Sequence, residues 1–300
     1  MISYVPLTEL ADWYPAFRQR QVDAYQAAGL PGPAAEECVD RLVEHGRDWT
    51  AVAITEADGQ RVGQLVVGVV HPQGRVVGRI VDLWTEPAHD RHRAAAEAWA
   101  RQWCEAREAR RVAVRLVEPD PVFADYPLRS QTRCKALGKA PEPPAGVTVR
   151  PMTAAEYAGW AATEQREYAE DIVRAGSLTL AEALRQAEQE YAQLLPYALE
   201  TPDTSILVLE AEGAELGVVW LKHGYLPGVS YLYSLLVHPE HRGRGFGRAA
   251  MAVCERASLA AGDGALMFNV FGGNEIAMNL YTKTGYAVLE ESRSLDLDGS

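Results

Sequence analysis

Apolar and polar residues follow one another in the same order in the two halves of the chain. Each half begins with a short strand pattern and a turn, at residues 2–13 and 147–160, and a helical region follows. Two alternating segments joined at a glycine come next, at residues 50–70 and 205–223, and they predict hairpins. The order of predicted elements therefore occurs twice.

The same repetition continues beyond the predicted hairpins. In each half an apolar strand ends at a proline, and an alanine-rich helix and a further strand follow. Pro87 and Pro239 occupy equivalent places and lie 152 residues apart. A repeat of this length indicates duplication of a whole domain, because solenoid repeats are much shorter.

A proline-rich segment separates the two halves, and it predicts the domain organisation. Residues 138–151 hold four prolines, which fix φ and remove backbone donors, so the segment predicts a stiff linker. We predict domains at residues 1–139 and 151–300 with a linker at 140–150. The mixture of strands and helices predicts the α/β class (α+β mixed), with a mixed, mostly antiparallel sheet flanked by helices in each domain.

Composition narrows the class of protein. With 48% hydrophobic and 23% charged residues the chain is typical of a globular protein, and no segment approaches the ~20 apolar residues of a membrane span. The net charge of −12 argues against nucleic-acid binding and is compatible with a cationic amine as substrate. The N-terminus lacks the pattern of a signal peptide, and four widely spaced cysteines predict free thiols in a reducing cytoplasm.

The glycine-rich segment after Pro239 carries most of the candidate chemistry. It joins a strand ending at Val237 to a predicted helix, whose first N–H groups and positive dipole end favour an anion. One such contact contributes ~0.3–2 kcal/mol, whereas micromolar affinity needs ~8 kcal/mol, so several groups must act together. The glycines permit unusual φ values, and the arginines add charged donors: Arg242, Gly243, Arg244, Gly245, Gly247 and Arg248.

Two motifs in this half resemble those of one enzyme family. Arg242, Gly245 and Gly247 form an Arg-x-x-Gly-x-Gly pattern, which resembles the coenzyme A signature of the GNAT superfamily of N-acetyltransferases. The family's closing motif is similar to a set of residues further on: Asn274, Ala277, Leu280, Tyr281, Gly285 and Tyr286. The resemblance covers most of the C-terminal half and implies tandem GNAT-like domains.

The resemblance implies acetyl-CoA as a cosubstrate and assigns roles to individual residues. The strand end would pair with the pantetheine arm, the loop would hold the pyrophosphate, and an asparagine would hydrogen-bond the pantetheine region. These cofactor-binding residues are Leu235, Leu236, Val237, Arg242, Gly243, Arg244, Gly245, Phe246, Gly247, Arg248 and Asn274. Tyr281 would protonate the departing thiolate, which is costly to release in a partly dry site.

The sequence leaves three alternatives open for the general base. Many family members place a carboxylate on the strand before the signature, where this chain has Tyr233 and Ser234. A water chain or a carboxylate on a helix would accept the proton of the amine instead, or a weakly basic substrate amine would need little help to lose it. The first helix of this half offers polar residues on one face, among them the candidate base Glu164: Glu164, Glu167, Tyr168 and Asp171.

The N-terminal half lacks the loop. At the offset of 152 the positions of Arg242, Gly243, Gly245 and Gly247 are filled by Asp90, Arg91, Arg93 and Ala95, and Arg129 aligns with Tyr281. A carboxylate and new Cβ atoms would oppose phosphate binding. This half therefore resembles a degenerate GNAT domain, which would support the active half or supply a homodimer surface.

The predicted function is transfer of an acetyl group from acetyl-CoA to a primary amine of a small molecule or peptide. Direct attack would form a tetrahedral intermediate, stabilised by strand-end amides around Leu236, and no metal is needed. Two alternatives stay open: a non-catalytic coenzyme A sensor and an acyltransferase that uses a different acyl-CoA.

Overall fold

A computed structural model describes nearly the whole chain as two compact units. The described residues are 2–7, 13–44, 49–139, 142, 144–174 and 178–297. Unit 1 comprises Met1–Ala27, Ala35–Gln131 and Leu289–Ser300. Unit 2 comprises Ala28–Ala34 and Thr132–Val288.

Strands and helices occur in the order that the sequence pattern predicts. The strands are β1 (Ser3–Pro6), β2 (Thr50–Thr55), β3 (Arg61–Val70), β4 (Val77–Thr85), β5 (Arg111–Leu116), β6 (Leu128–Ala136), β7 (Val147–Pro151), β8 (Thr204–Ala211), β9 (Ala214–Leu226), β10 (Val229–Val237), β11 (Ala265–Phe271) and β12 (Ala287–Asp296). The helices are α1 (Tyr14–Ala27), α2 (Gly32–Glu44), α3 (Arg93–Glu105), α4 (Ala154–Arg174), α5 (Leu180–Leu194), α6 (Phe246–Ala260) and α7 (Glu275–Lys283). None of the described helices is both long and apolar enough to cross a bilayer.

Unit 1 is built on a mixed sheet with the strand order β1-β2-β3-β4-β5-β12. Every neighbouring pair is antiparallel except β4 and β5, which run parallel on either side of the crossover helix α3. The core lies between the apolar face of α3, with Ala96 and Ala100, and strand residues such as Leu65 and Val112. Short alanines allow this helix to approach the sheet closely.

Unit 2 repeats this arrangement with the strand order β7-β8-β9-β10-β11-β6. Among the pairs from β7 to β11 only β10 and β11 run parallel, and α6 forms the crossover between them. Met251 and Cys254 of α6 are fully buried against Leu221 and Phe268 of the sheet. The predicted fold class, mixed α/β with mostly antiparallel sheets flanked by helices, is confirmed.

The boundaries of the units differ from the predicted domain ranges 1–139 and 151–300. Residues from Leu289 onward belong to unit 1, because β12 pairs with β5. The end of the predicted linker 140–150 is a strand, since β7 pairs with β8 from Val147 onward. Residues 140, 141 and 143 of that linker lie outside the described residues.

A β-bulge lies at the equivalent position of the two sheets. In β10 the register against β9 shifts between Leu232 and Ser234, which leaves Tyr233 as the extra residue. In β4 the register against β3 shifts in the same way around Val81, which lies 152 positions before Tyr233. A bulge bends its strand and increases its twist, so both strands leave their parallel neighbours after this point.

Candidate active site

The parallel strands β10 and β11 separate at the centre of unit 2. Their pairing covers Val229–Tyr231 against Ala265–Met267, although β10 continues to Val237 and β11 to Phe271. The outer part of β10 therefore has backbone groups available to an extended ligand on the side from which β11 has diverged. Leu235, Leu236 and Val237, the predicted partners of the pantetheine arm, lie in this part and are half-buried.

A glycine on the other neighbour fixes the position of the end of β10. A Cβ atom at Gly217 of β9 would lie 2.0 Å from the Leu236 carbonyl oxygen, which is far inside contact distance. The two backbones can approach this closely only because Gly217 has no side chain. The strand edge around Leu236 is therefore held firmly by β9.

The loop after β10 presents an uncapped helix start. A 3₁₀ turn at Pro239–His241 ends the strand, and Gly243 and Gly245 then adopt φ values of 74° and 87°. A Cβ atom at either glycine would meet nothing within 4 Å, so the glycines are required by their backbone conformation and leave open space beside the loop. No side chain caps α6 at Gly245, whereas Thr179 caps α5, so the first N–H groups of α6 point to the outside.

The other residues of the loop supply charge and hold it in place. Arg242 donates from Nε to the Val237 carbonyl at 3.0 Å, which ties the loop to the strand end. Arg244 lies over the ring of Phe246 at 5.2 Å, and Arg248 is exposed. Gly247 lies against Leu280 of α7, since an added Cβ atom would come within 3.0 Å of that side chain.

Tyr281, the predicted acid, lies on α7 and is largely buried. Its ring packs 4.2 Å from that of Phe268 in the core of unit 2. Burial, and then the nearby Cys254 thiol, raise the pKa of the Tyr281 phenol to about 12, against the opposing charge of Arg133. The phenol therefore keeps its proton at neutral pH, as a proton donor must.

Asn274 stands at the start of α7 as its N-cap. Its side-chain oxygen accepts from the Ala277 amide at 3.2 Å, which satisfies one free N–H group of the helix. The predicted contact with the pantetheine region would therefore use the side-chain NH₂ group. That contact stays a prediction.

Glu164 differs from the other polar residues on the same face of α4. Its side chain is 5% exposed, whereas Glu167 is exposed and Asp171 forms an ion pair with Arg174. Burial raises the pKa of the Glu164 carboxyl to about 7, and hydrogen bonding from the Ser234 hydroxyl opposes this rise. Two of the residues that the sequence singled out, Glu164 and Ser234, thus meet beside the bulge of β10.

The surroundings of this carboxyl are aromatic. Tyr191 of α5 also hydrogen-bonds to Glu164, and burial raises the pKa of its phenol. Trp220 packs against Tyr191 at 5.1 Å and stacks on Tyr233 at 4.6 Å. Tyr233 is therefore part of the wall, and no local sequence signal points to Tyr191, which occupies the apolar face of an ordinary amphipathic helix.

Unit 1 has the strand geometry of this site without its loop. Pairing of β4 with β5 ends at Ile80, and a cleft of about 680 Å³ lies beyond that point. The following segment is helical throughout, because a 3₁₀ turn at Pro87–His92 leads directly into α3. Asp90 accepts from the Thr85 hydroxyl, and Arg93 pairs with Asp120, so side chains occupy the place of the open loop.

The gapless alignment of Arg129 with Tyr281 is wrong. Arg129 lies on strand β6 and donates to Ser294 at 2.7 Å, whereas Tyr281 lies on helix α7. The constant offset of 152 holds through the crossover helices and fails afterwards, because unit 1 has only a short 3₁₀ turn at Pro121–Phe123 before β6.

Unit 2 thus combines splayed parallel strands, an open glycine loop, a buried phenol and a buried carboxyl. Residues 168–286 match the model of the acetyltransferase (GNAT) family. This part of unit 2 is therefore similar to GNAT acetyltransferases, and the two similar sheets of the chain are consistent with tandem GNAT domains.

Individual proteins that are similar to this chain are also named acetyltransferases. The chain is 27% identical over 143 residues to the uncharacterized N-acetyltransferase YycN of Bacillus subtilis, which covers 47% of this chain and 92% of that protein. It is 27% identical over 329 residues to a mycothiol acetyltransferase of Frankia alni, covering 94% of this chain and 93% of the relative. A GCN5-related N-acetyltransferase from Sphaerobacter thermophilus has a similar fold over 98% of this chain and 95% of its own, with 17% identity and a TM-score of 0.58.

Proposed function

We propose that unit 2 transfers an acetyl group from acetyl-CoA to the primary amine of a small molecule or peptide by direct attack. The observation that carries this proposal is the pair of buried groups beside the diverging strands, with Glu164 hydrogen-bonded to Ser234 of β10 and Tyr281 packed on Phe268 of β11. Glu164 has a pKa raised to about 7 and Tyr281 a pKa raised to about 12, which suit a base and an acid at neutral pH.

Glu164 would take the role of the carboxylate that many family members have on the strand and that this chain lacks. A substrate ammonium has a pKa of ~10.4 and must lose a proton before its nitrogen can attack. In the proposed reaction Glu164 accepts this proton, with the Ser234 hydroxyl beside it as a relay. A site without a base would favour a non-catalytic coenzyme A sensor, so the burial of Glu164 beside Ser234 supports the enzyme over the sensor.

The remaining steps use the strand edge and Tyr281. As the amine nitrogen bonds to the thioester carbon, backbone N–H groups near Leu236 stabilise the oxyanion. The carbon–sulfur bond then breaks, and Tyr281 donates its proton to the thiolate. Loss of the second proton of the amine nitrogen to the Tyr281 phenolate gives the neutral amide and restores Tyr281, and Glu164 releases its proton to solvent.

The arrangement of nucleophiles favours direct attack over an acetyl-enzyme. Cys254 is fully buried in α6, and burial raises the pKa of its thiol, so it is neither accessible nor ionised. Incubation with acetyl-CoA and no amine should leave the intact mass of the protein unchanged. A stable increase of one acetyl group on the protein would contradict direct attack.

Small acceptors are favoured by the enclosed, aromatic surroundings of Glu164 and by the full-length relatives named mycothiol acetyltransferases. The test is thiol release with a panel of amines that includes the mycothiol acetyltransferase substrate, amino acids, polyamines and peptides. Mass spectrometry of the product should show one added acetyl group on nitrogen. Coenzyme A binding without turnover on any amine would support the sensor instead.

A further inference from the structure

Three potential metal ligands converge in unit 1, away from the proposed reaction. Glu56 follows β2, and His89 and His92 lie on the 3₁₀ turn after β4. Glu56 Oε1 is 3.1 Å from His89 Nδ1 and 2.6 Å from His92 Nε2. One ligand atom from each residue lies within 4.8 Å of the other two.

We propose that Glu56, His89 and His92 form a binding site for a divalent transition-metal ion, with Zn²⁺ as the best chemical match. Two imidazoles and one carboxylate are a common ligand set for zinc, and a water molecule would complete a tetrahedron. Bonds of about 2.0–2.1 Å place tetrahedral ligand atoms roughly 3.4 Å apart, so the three side chains need only small movements.

The backbone holds both parts of the site in place without a metal. The Glu56 amide donates to Gln60 at 2.9 Å, and the Glu56 carbonyl accepts from Gly59 at 3.0 Å, so a tight turn fixes the carboxylate. On the other side the Glu86 amide donates to Val62 at 2.9 Å, and the His89 amide donates to the Glu86 carbonyl at 2.7 Å. The ligands are therefore preorganised by the hairpin and the turn.

Charges around the three ligands act in opposite directions. The Glu86 carboxylate lies 4.0 Å from His89 Nε2 and adds negative charge beside the site, which favours a cation. Arg91 opposes binding, because its exposed side chain also pairs with Glu56.

The site would tie the hairpin of β2 and β3 to the segment that replaces the coenzyme A loop in unit 1. Its role is therefore structural, and the proposed acetyl transfer in unit 2 needs no metal.

The test uses the full chain, free of any histidine tag and stripped with a chelator. Calorimetric titration with Zn²⁺ at pH 7.5 should show one ion per chain, and Co²⁺ should give the visible spectrum of a tetrahedral site. Glu56→Gln and His92→Ala should each weaken binding at least ~10-fold. His71→Ala, at an exposed histidine of the same unit, is the matched control and should bind as the wild type does.

Arg91→Ala separates a metal site from a simple hydrogen-bonded cluster. Removing the competing cation should strengthen Zn²⁺ binding, whereas the same change in a cluster without metal affinity would only lower stability. Far-UV circular dichroism of the metal-free variants checks that each is folded. Absence of stoichiometric binding, or equal affinity of the wild type and a folded Glu56→Gln variant, would overturn the proposal.

Discussion

The segments that follow β4 and β10 begin alike and then differ. Both strands have nine residues and carry a bulge at the equivalent residue, Val81 or Tyr233, and both diverge from a parallel neighbour. After β10 the chain opens into a loop with two glycines at positive φ. After β4 it continues as a helical turn, in which Asp90 and Arg93 have partners within unit 1.

The two units share the strand geometry of the site but differ in the loop that could bind a phosphate. The bulge and the splayed strands follow from the shared fold and create a cleft whether or not it binds coenzyme A. The open N–H groups require Gly243 and Gly245, because other residues adopt their φ values only at a cost. Unit 1 also has a carboxylate, Asp82, at the position aligned with Ser234, and it is held by Trp13 and Arg20.

The largest expected effect concerns the proposed proton donor, Tyr281, whose helix α7 is replaced in the described part of unit 1 by the 3₁₀ turn at Pro121–Phe123. Tyr281→Phe should lower kcat roughly 10²–10⁴-fold with little change in coenzyme A affinity, because only the phenolic proton is removed. Tyr286→Phe is the matched control, because the Tyr286 ring is also buried and its hydroxyl donates a hydrogen bond to Glu255 at 3.1 Å. Steady-state thiol release and calorimetry measure the two quantities. Similar losses in both variants would indicate a packing role for Tyr281.

A carboxylate placed in the loop, as Asp90 is in unit 1, tests the proposed phosphate site. Gly245→Asp should weaken coenzyme A binding about 100-fold, since a carboxylate would face the phosphates at a strained φ. Gly213→Asp controls for backbone strain, because Gly213 has a φ of 78° in a hairpin turn of the same unit. Unchanged affinity of the Gly245 variant would remove the basis for a phosphate site in this loop.

The proposed base predicts a pH dependence. In the wild type kcat/KM should rise as pH increases through about 7, because Glu164 accepts a proton only when ionised. Glu164→Gln should lower kcat/KM roughly 100-fold and abolish this rise. Glu167→Gln, on the exposed part of the same helix, should retain it. An identical pH profile in the wild type and Glu164→Gln would exclude Glu164 as the base.

Stability should change in the opposite direction to activity. The folded pKa of Glu164 is about 7, against about 4.3 in an unfolded chain, so ionisation between these values penalises the folded state. The free energy of unfolding should therefore fall as pH rises through this range, by about 4 kcal/mol when complete. Glu164→Gln should gain stability relative to the wild type between pH 5 and pH 8 in urea denaturation. A constant difference would show that the carboxyl is not buried as described.

The smallest expected effect is in unit 1. Asp82→Asn should leave kcat unchanged, because the cleft beside it has no open loop to hold coenzyme A. The measurement is thiol release, corrected for the folded fraction, since Asp82 is bonded to Gln64 and Arg20. A folded Asp82→Asn variant without activity would show that unit 1 takes part in the reaction.

How much of the site the sequence predicts depends on the range of the interactions. The glycine loop is local, so the motif places it correctly on a loop before a helix. The N-cap role of Asn274 is visible only in the structure. The burial of Glu164 depends on α4, α5 and the bulge of β10 together, and the pattern of its own helix resembles a solvated face. Tyr191 and the return of β12 to unit 1 are long-range features with no local signal.

The central claim is that backbone N–H groups at the start of α6 bind the diphosphate of coenzyme A. A crystal structure of the protein with coenzyme A tests it most directly. We expect one coenzyme A molecule per chain, with its diphosphate against the amides that follow Gly245 and its pantetheine arm beside Leu236. Amides of α6 left without ligand, with coenzyme A in the cleft of unit 1, would contradict the account.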